Sequence, residues 1–138
     1  MANKVVHTEL NTTDVGMAKK FYAALFDWKL EDMKMGPGMS YTMIKSGKDT
    51  FGGMQKKPMA EAPTMWLTYF SVDDLVKTVA KAKKMGAQIF VENQPIPGMG
   101  SLAVLADPTG AAIGLWQPEP KRTARRSTAK KGSAKRKS

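Results

Sequence analysis

The 138-residue sequence has no cysteine and one histidine, and no apolar run approaches a membrane-spanning length. Without cysteine there is no disulfide framework, no thiolate zinc site and no cysteine nucleophile. A metal would have to be held by carboxylates and a single imidazole. A membrane helix needs about 20 apolar residues, and the opening Met1-Ala-Asn-Lys-Val-Val-His7 lacks the apolar core of a secretion signal. These absences favour a cytoplasmic protein with no membrane association. Length, 42% apolar and 25% charged residues are what one globular domain is expected to have, rather than a large multidomain enzyme.

The formal net charge of +10 is unevenly distributed. Residues 121–138 carry nine of the 22 basic residues (Lys121, Arg122, Arg125, Arg126, Lys130, Lys131, Lys135, Arg136 and Lys137) and no acid, leaving 13 basic against 12 acidic residues in 1–120. The rest of that tail is Ser, Thr, Ala and Gly, with nothing to bury against a core. Ordering it would cost about 1–2 kcal/mol per residue of backbone entropy without compensation. The expectation is a nearly neutral domain over 1–120 and a disordered basic arm over 121–138.

The domain repeats with an offset of 60 residues, which places Thr8 on Thr68 and Asp14 on Asp74. Each unit opens with an apolar strand, Val5 to Leu10 and then Met65 to Val72. A helix follows each, capped by Asp14 in the first unit and by Asp73 or Asp74 in the second. Met17, Phe21, Ala24 and Leu25 give the first helix an apolar stripe, and Leu75, Val79 and Ala82 do so for the second. Lys77, Lys81 and Lys84 face water, and Gly86 ends the second helix. Three short strands follow each helix: Trp28–Asp32, Met39–Lys45 and Thr50–Gln55, then Ala87–Glu92, Ser101–Ala106 and Ala111–Trp116. Turn chemistry separates them at Gly36-Pro37-Gly38, Ser46-Gly47-Lys48-Asp49, Pro95-Ile96-Pro97-Gly98 and Asp107-Pro108-Thr109-Gly110. The fold class is α+β, with two βαβββ modules in tandem over about 4–58 and 65–118, helices outside and curved mixed sheets enclosing a cleft. Small ligands commonly bind at such module interfaces.

The twofold βαβββ order, His7-Thr8-Glu9, Phe21-Tyr22 followed by Leu25-Phe26-Asp27-Trp28, Gly52-Gly53-Met54, Trp66 with Val72-Asp73-Asp74, and Asp107-Pro108-Thr109-Gly110 together resemble the vicinal oxygen chelate superfamily. That superfamily includes glyoxalase I, bleomycin-resistance proteins and extradiol dioxygenases, and this chain looks most like its small glyoxalase-like members. The resemblance spans about residues 4–118. It implies a homodimer and metal ligands at four equivalent places, on the first and last strands of each module. Here those places hold His7, Leu67, Met54 (Gly53 with a one-residue slip) and Gly114. One imidazole is far short of the three or four donors of a zinc site or the two His and one carboxylate of an iron facial triad. Gln55, reached by the same slip, is a poor ligand.

The sequence thus argues against glyoxalase I and dioxygenase chemistry, with no metal and no cofactor. Strand alternation and the repeat direct Val5, His7, Glu9, Leu67 and Tyr69 into the cleft. Counting from the family's last-strand positions adds Gly52, Met54, Ala112, Gly114 and Trp116. The expected ligand-binding set is His7, Glu9, Met54, Leu67, Tyr69, Gly114 and Trp116, an apolar, partly aromatic lining suited to a small hydrophobic or aromatic molecule. His7 is either a hydrogen-bonded cleft histidine or a general base paired with Glu9 in a lyase- or isomerase-like reaction. Among the 11 methionines, Met17 and Met85 read as core, while Met33, Met35, Met39, Met43, Met54 and Met99 could border the cleft. The nine tail cations, without aromatics, suit nonspecific nucleic acid or another polyanion. If the arm works that way, DNA-column retention falls steeply between about 50 and 200 mM salt and is lost on truncation after Pro120. Retention that survives either change contradicts it.

Overall fold

A computed structural model of the chain describes residues 2–36 and 39–120; the tail cations Lys121 to Lys137, Pro37-Gly38 and the side chains of Met35 and Met39 lie outside the described residues. The elements run β1 (Val5–Thr12), α1 (Val15–Leu25), β2 (Trp28–Gly36), β3 (Met39–Ser46), β4 (Asp49–Lys56), β5 (Met65–Ser71), α2 (Leu75–Lys84), β6 (Gln88–Ile96), β7 (Gly100–Ala106) and β8 (Ala112–Pro118). This is βαβββ twice, in an α+β fold. Among the described residues, no helix is long and apolar enough to cross a membrane.

The strands form one eight-stranded mixed sheet in the order β2-β3-β4-β1-β5-β8-β7-β6. Within each module the first strand pairs parallel with the last, β1 with β4 and β5 with β8. The modules join where β1 and β5 pair antiparallel, with Thr8 opposite Thr68. Those two threonines are repeat equivalents, so the pseudo-twofold axis passes through their pair. The two modules of the chain thus pair directly with each other. Both helices lie on the outer face of the curved sheet, and the inner face is left to strand side chains.

Each helix starts where an aspartate supplies the missing acceptor. Asp14 Oδ1 accepts from Met17 N at 2.9 Å, and Asp74 Oδ1 accepts from Lys77 N at 3.0 Å. At α2 the Gln117 side chain also takes up the Leu75 N–H at 2.7 Å. Gly86, at φ 95°, turns the chain out of α2 in a conformation that other residues resist. In the last turn of the sheet, Asp107 Oδ1 accepts from Thr109 N, Thr109 Oγ1 and Ala111 N. The Thr109 hydrogen bond, with the backbone N–H groups behind it, holds the Asp107 carboxyl below the usual carboxylate range. The turn expected at Pro95-Ile96-Pro97-Gly98 begins later, because β6 continues through Ile96. As an edge strand, β6 tolerates Pro95.

The two cores differ in chemistry. Under α2, Val72, Leu75, Val79, Ala103, Leu105 and Leu115 form an aliphatic cluster, joined by Ala82 as expected. Under α1, Leu10, Ile44 and Met54 are buried among Tyr22, Trp28, Phe51 and Trp66. The Tyr22 ring meets Trp28 and Trp66 at centroid distances of 5.6 and 5.5 Å, and Trp66 Nε1–H donates to Tyr22 Oη at 3.2 Å.

Three expectations about this core are corrected. Helix α1 turns Val15, Ala18 and Tyr22 toward the sheet and leaves Met17, Phe21, Ala24 and Leu25 exposed; the Phe21 side is 58% exposed. Both stripes have helical spacing, and the aromatic cluster that receives Tyr22 decides between them. Met85 is likewise exposed. Met54, expected in the cleft, is fully buried under α1, because it stands opposite Leu10 and alternation sends both outward. Met54→Ala should therefore cost about 2–5 kcal/mol in urea unfolding, whereas Met17→Ser should stay within about 0.5 kcal/mol. Equal losses would mean that the helix phase is wrong.

Candidate functional site

The inner face is set by cross-strand partners. His7 and Glu9 on β1 stand opposite Tyr69 and Leu67 on β5, while Glu9 and Asn11 stand opposite Gly53 and Gln55 on β4. Gly114 lies beside Tyr69, and Trp116 lies beside Ser71 and opposite Leu102. Six of the seven sequence-derived lining residues (His7, Glu9, Leu67, Tyr69, Gly114 and Trp116) thus share this face. Met54 is replaced by Gly53 and Gln55. Gly52, paired with Thr8, also faces outward, and a β-bulge after Val5 sets that residue opposite Phe70, out of the alternation.

Glu9 is the centre of the arrangement. It is 7% exposed although no helix covers this face. Tyr41 Oη donates to its Oε2 at 2.8 Å; Tyr69 Oη, Asn11 Nδ2 and Gln55 Nε2 donate to its Oε1 at 3.3, 3.2 and 3.3 Å. Gln55 also donates to Asn11 Oδ1 at 2.8 Å. A buried carboxylate is tolerable only when its lone pairs are met. Here four neutral donors from β1, β3, β4 and β5 meet them. Among the described residues, no Lys or Arg forms an ion pair with Glu9.

The two tyrosines reach Glu9 because glycines make room for their rings. A Cβ on Gly53 would lie 2.2 Å from the Tyr41 ring, and one on Gly114 would lie 2.4 Å from the Tyr69 ring. Each ring therefore lies over bare backbone of a last strand. Burial, reinforced by the charge of Glu9, raises the pKa of both phenols far above the ordinary tyrosine value, so each remains a protonated donor.

His7 closes the network, with Nε2 2.7 Å from Tyr41 Oη. Tyr41 gives its one proton to the carboxylate, so its oxygen accepts from His7 Nε2–H. Among the described residues, Nδ1 has no hydrogen-bond partner. Burial lowers the His7 pKa from its ordinary 6.5, and Glu9 opposes that only in part. The imidazole is neutral at physiological pH, with its free lone pair on Nδ1.

The family resemblance implies a metal at this place, and the residues do not fit one. The four first- and last-strand positions present His7, Leu67, Gly53 and Gly114, whose side chains offer one donor in all. Among the described residues, no three His, Cys, Asp or Glu side chains come together. Glu9, the only carboxylate of this network, has both oxygens engaged.

Tyr41 and Asn11 were not singled out in the sequence. The available signal was alternation in β3: with Thr42 and Ile44 in the core, Tyr41 and Met43 must face the cleft. The lining is divided, since β1, β3 and β4 supply most of the polar groups while β5, β7 and β8 add Leu67, Leu102, Val104 and Trp116 beside the one donor Tyr69.

A family model described as the Glyoxalase/Bleomycin resistance protein/Dioxygenase superfamily matches residues 4–115. A Mycobacterium tuberculosis protein named "Putative glyoxylase CFP32" is 36% identical over 116 residues, covering 84% of this chain and 44% of that protein. The Streptomyces peucetius anthracycline biosynthesis protein DnrV is 24% identical over 123 residues, covering 79% of this chain and 45% of its own length. The chain thus spans less than half the length of these curated relatives. Among solved structures, hypothetical protein BH1468 from Bacillus halodurans superposes with a TM-score of 0.65 at 16% identity, covering 89% of this chain and 99% of that one. A methylmalonyl-CoA epimerase in complex with methylmalonyl-CoA and NH4+ gives 0.64 at 13% identity, covering 89% and 99%. Both share the fold.

The lowered His7 pKa has a definite sign in stability. Between its folded pKa and about 6.5 the unfolded chain binds more protons, so stability rises with pH through that window and levels off above it. Urea midpoints between about pH 5.5 and 7.5 should show this rise, and His7→Phe should flatten it. A slope unchanged in the variant contradicts the assignment.

Proposed function

Because the chain belongs to the Glyoxalase/Bleomycin resistance protein/Dioxygenase superfamily but lacks a chelating set in its cleft, we propose that it binds a small molecule with a hydrophobic or aromatic body there, without a metal ion. The observation that carries this reading is the placement of Tyr41 over Gly53 and Tyr69 over Gly114, with both hydroxyls turned to Glu9. Two positions where metal-using relatives carry ligands have become seats for aromatic rings. The polar centre satisfies itself, and what remains for a ligand is the half-exposed apolar wall of Trp116, Leu102, Val104 and Met43. Such a lining holds a ligand by contact and stacking.

An enzymatic reading has less support. A lyase or isomerase would need a base or acid with room to exchange protons with a substrate, and Glu9 is buried with four donors on it. His7 alone keeps an open ring nitrogen. A dioxygenase reaction would need a metal-binding set that these residues do not form.

The neutral fluorophore N-phenyl-1-naphthylamine tests the binding reading. It should bind saturably in the presence of EDTA, and Trp116→Phe should weaken it by about three- to tenfold, the worth of a good aromatic contact. Trp28 and Trp66 lie in the outer core, so their replacement should leave affinity unchanged in folded protein. Non-saturable uptake, or affinity indifferent to Trp116, would sink the reading.

A further inference from the structure

Most polar atoms of the cleft are spoken for, and among the described residues two side-chain acceptors, His7 Nδ1 and Gln55 Oε1, have no donor. Tyr41, Tyr69, Asn11 and Gln55 direct donors to Glu9, and His7 Nε2–H is committed to Tyr41. His7 Nδ1 is left as a lone pair, beside a ring whose edge meets Tyr69 at a centroid distance of 5.7 Å. It can accept a hydrogen bond and, in the neutral ring, cannot donate one.

Charge imposes a second condition. Glu9 places a negative charge inside the cleft, and the donors around it are neutral. At the β2 edge of this face, Lys45 pairs with Glu31 at 3.4 Å and stands opposite Lys29. Lys45 is four residues from Tyr41, about 13 Å along β3, and its side chain is 41% exposed. Paired with Glu31 and partly exposed to solvent, Lys45 is screened and does little to offset Glu9 at the centre. An anionic ligand would be drawn into low dielectric beside a like charge, whereas a neutral one meets no such penalty.

We infer that the cleft selects neutral aromatic molecules carrying one hydrogen-bond donor, of the phenol or aryl-amine class, whose O–H or N–H is accepted by His7 Nδ1 and whose ring lies along Trp116 and Leu102. This rests on the binding reading above and adds to it a substrate class and a specificity residue. It also sets the chain apart from the epimerase with the same fold, whose bound methylmalonyl-CoA is an anion. A part-buried acceptor left without a donor favours the ligand that satisfies it.

Three probes of one shape decide the matter by equilibrium dialysis at about pH 7.5: 2-naphthol, 2-methoxynaphthalene and 2-naphthoate. The expected order puts 2-naphthol at least about tenfold tighter than either of the others, one hydrogen bond's worth for the ether and a charge penalty for the acid. His7→Phe should reduce the advantage of the naphthol over the ether to under about threefold. Naphthoate binding as tightly as naphthol, or a naphthol preference that survives His7→Phe, would overturn the inference while leaving the cleft a binding site. The wild-type comparison decides the charge condition by itself if the variant does not fold. Failure of all three to bind would be a different result, removing the binding reading along with its refinement.

Discussion

A carboxylate taken out of water must be paid for by its surroundings, and the inner face of this sheet is organised around that requirement. Glu9 sits on the first strand, near the pseudo-twofold axis, where both modules can reach it. Tyr41, Asn11 and Gln55 come from the first module and Tyr69 from the second. Tertiary hydrogen bonds of this kind pin strands that are far apart in the chain, because a donor withdrawn leaves the anion short. The glycines at 53 and 114 belong to the same device, since a methyl group at either place would displace a tyrosine. In this chain a hydrogen-bond network stands where other members of the fold assemble ligands around a cation.

The repeat made the order of elements legible, because turn chemistry and capping aspartates recur at the same offset in both halves. The antiparallel pairing of Thr8 with Thr68 is a physical expression of that offset: equivalent residues meet on the axis that relates the modules. Side-chain phase was harder to read. In α1 two stripes with helical spacing compete, and choosing Tyr22 over Phe21 requires knowing that Trp28, Phe51 and Trp66 converge beneath it, a contact between residues distant in sequence. In β4 the choice between Met54 and Gly53 depends on parity against β1. Nothing local decides it. Once Tyr41 is seen to need a bare backbone beneath its ring, only Gly53 will serve.

The modules share a plan and differ in filling. One packs an aromatic cluster under its helix, the other an aliphatic one. The cleft carries the same division, polar along the first module and largely apolar along the second. This explains why the repeat is faint in residue identity while strong in pattern: periodicity is fixed by the sheet and helices, whereas the residue at each point is fixed by what it meets. A divided lining also gives the cleft direction, since a ligand with one polar end and one flat end has a single way to lie in it.

The stability of Tyr41→Phe, measured by urea unfolding at neutral pH alongside Tyr69→Phe, bears most directly on the central role of Glu9. Each substitution keeps the ring and removes one hydroxyl donor from a buried carboxylate, so each should cost about 1–3 kcal/mol. Two variants as stable as the parent would show that the carboxylate does not depend on these hydroxyls and would contradict the account.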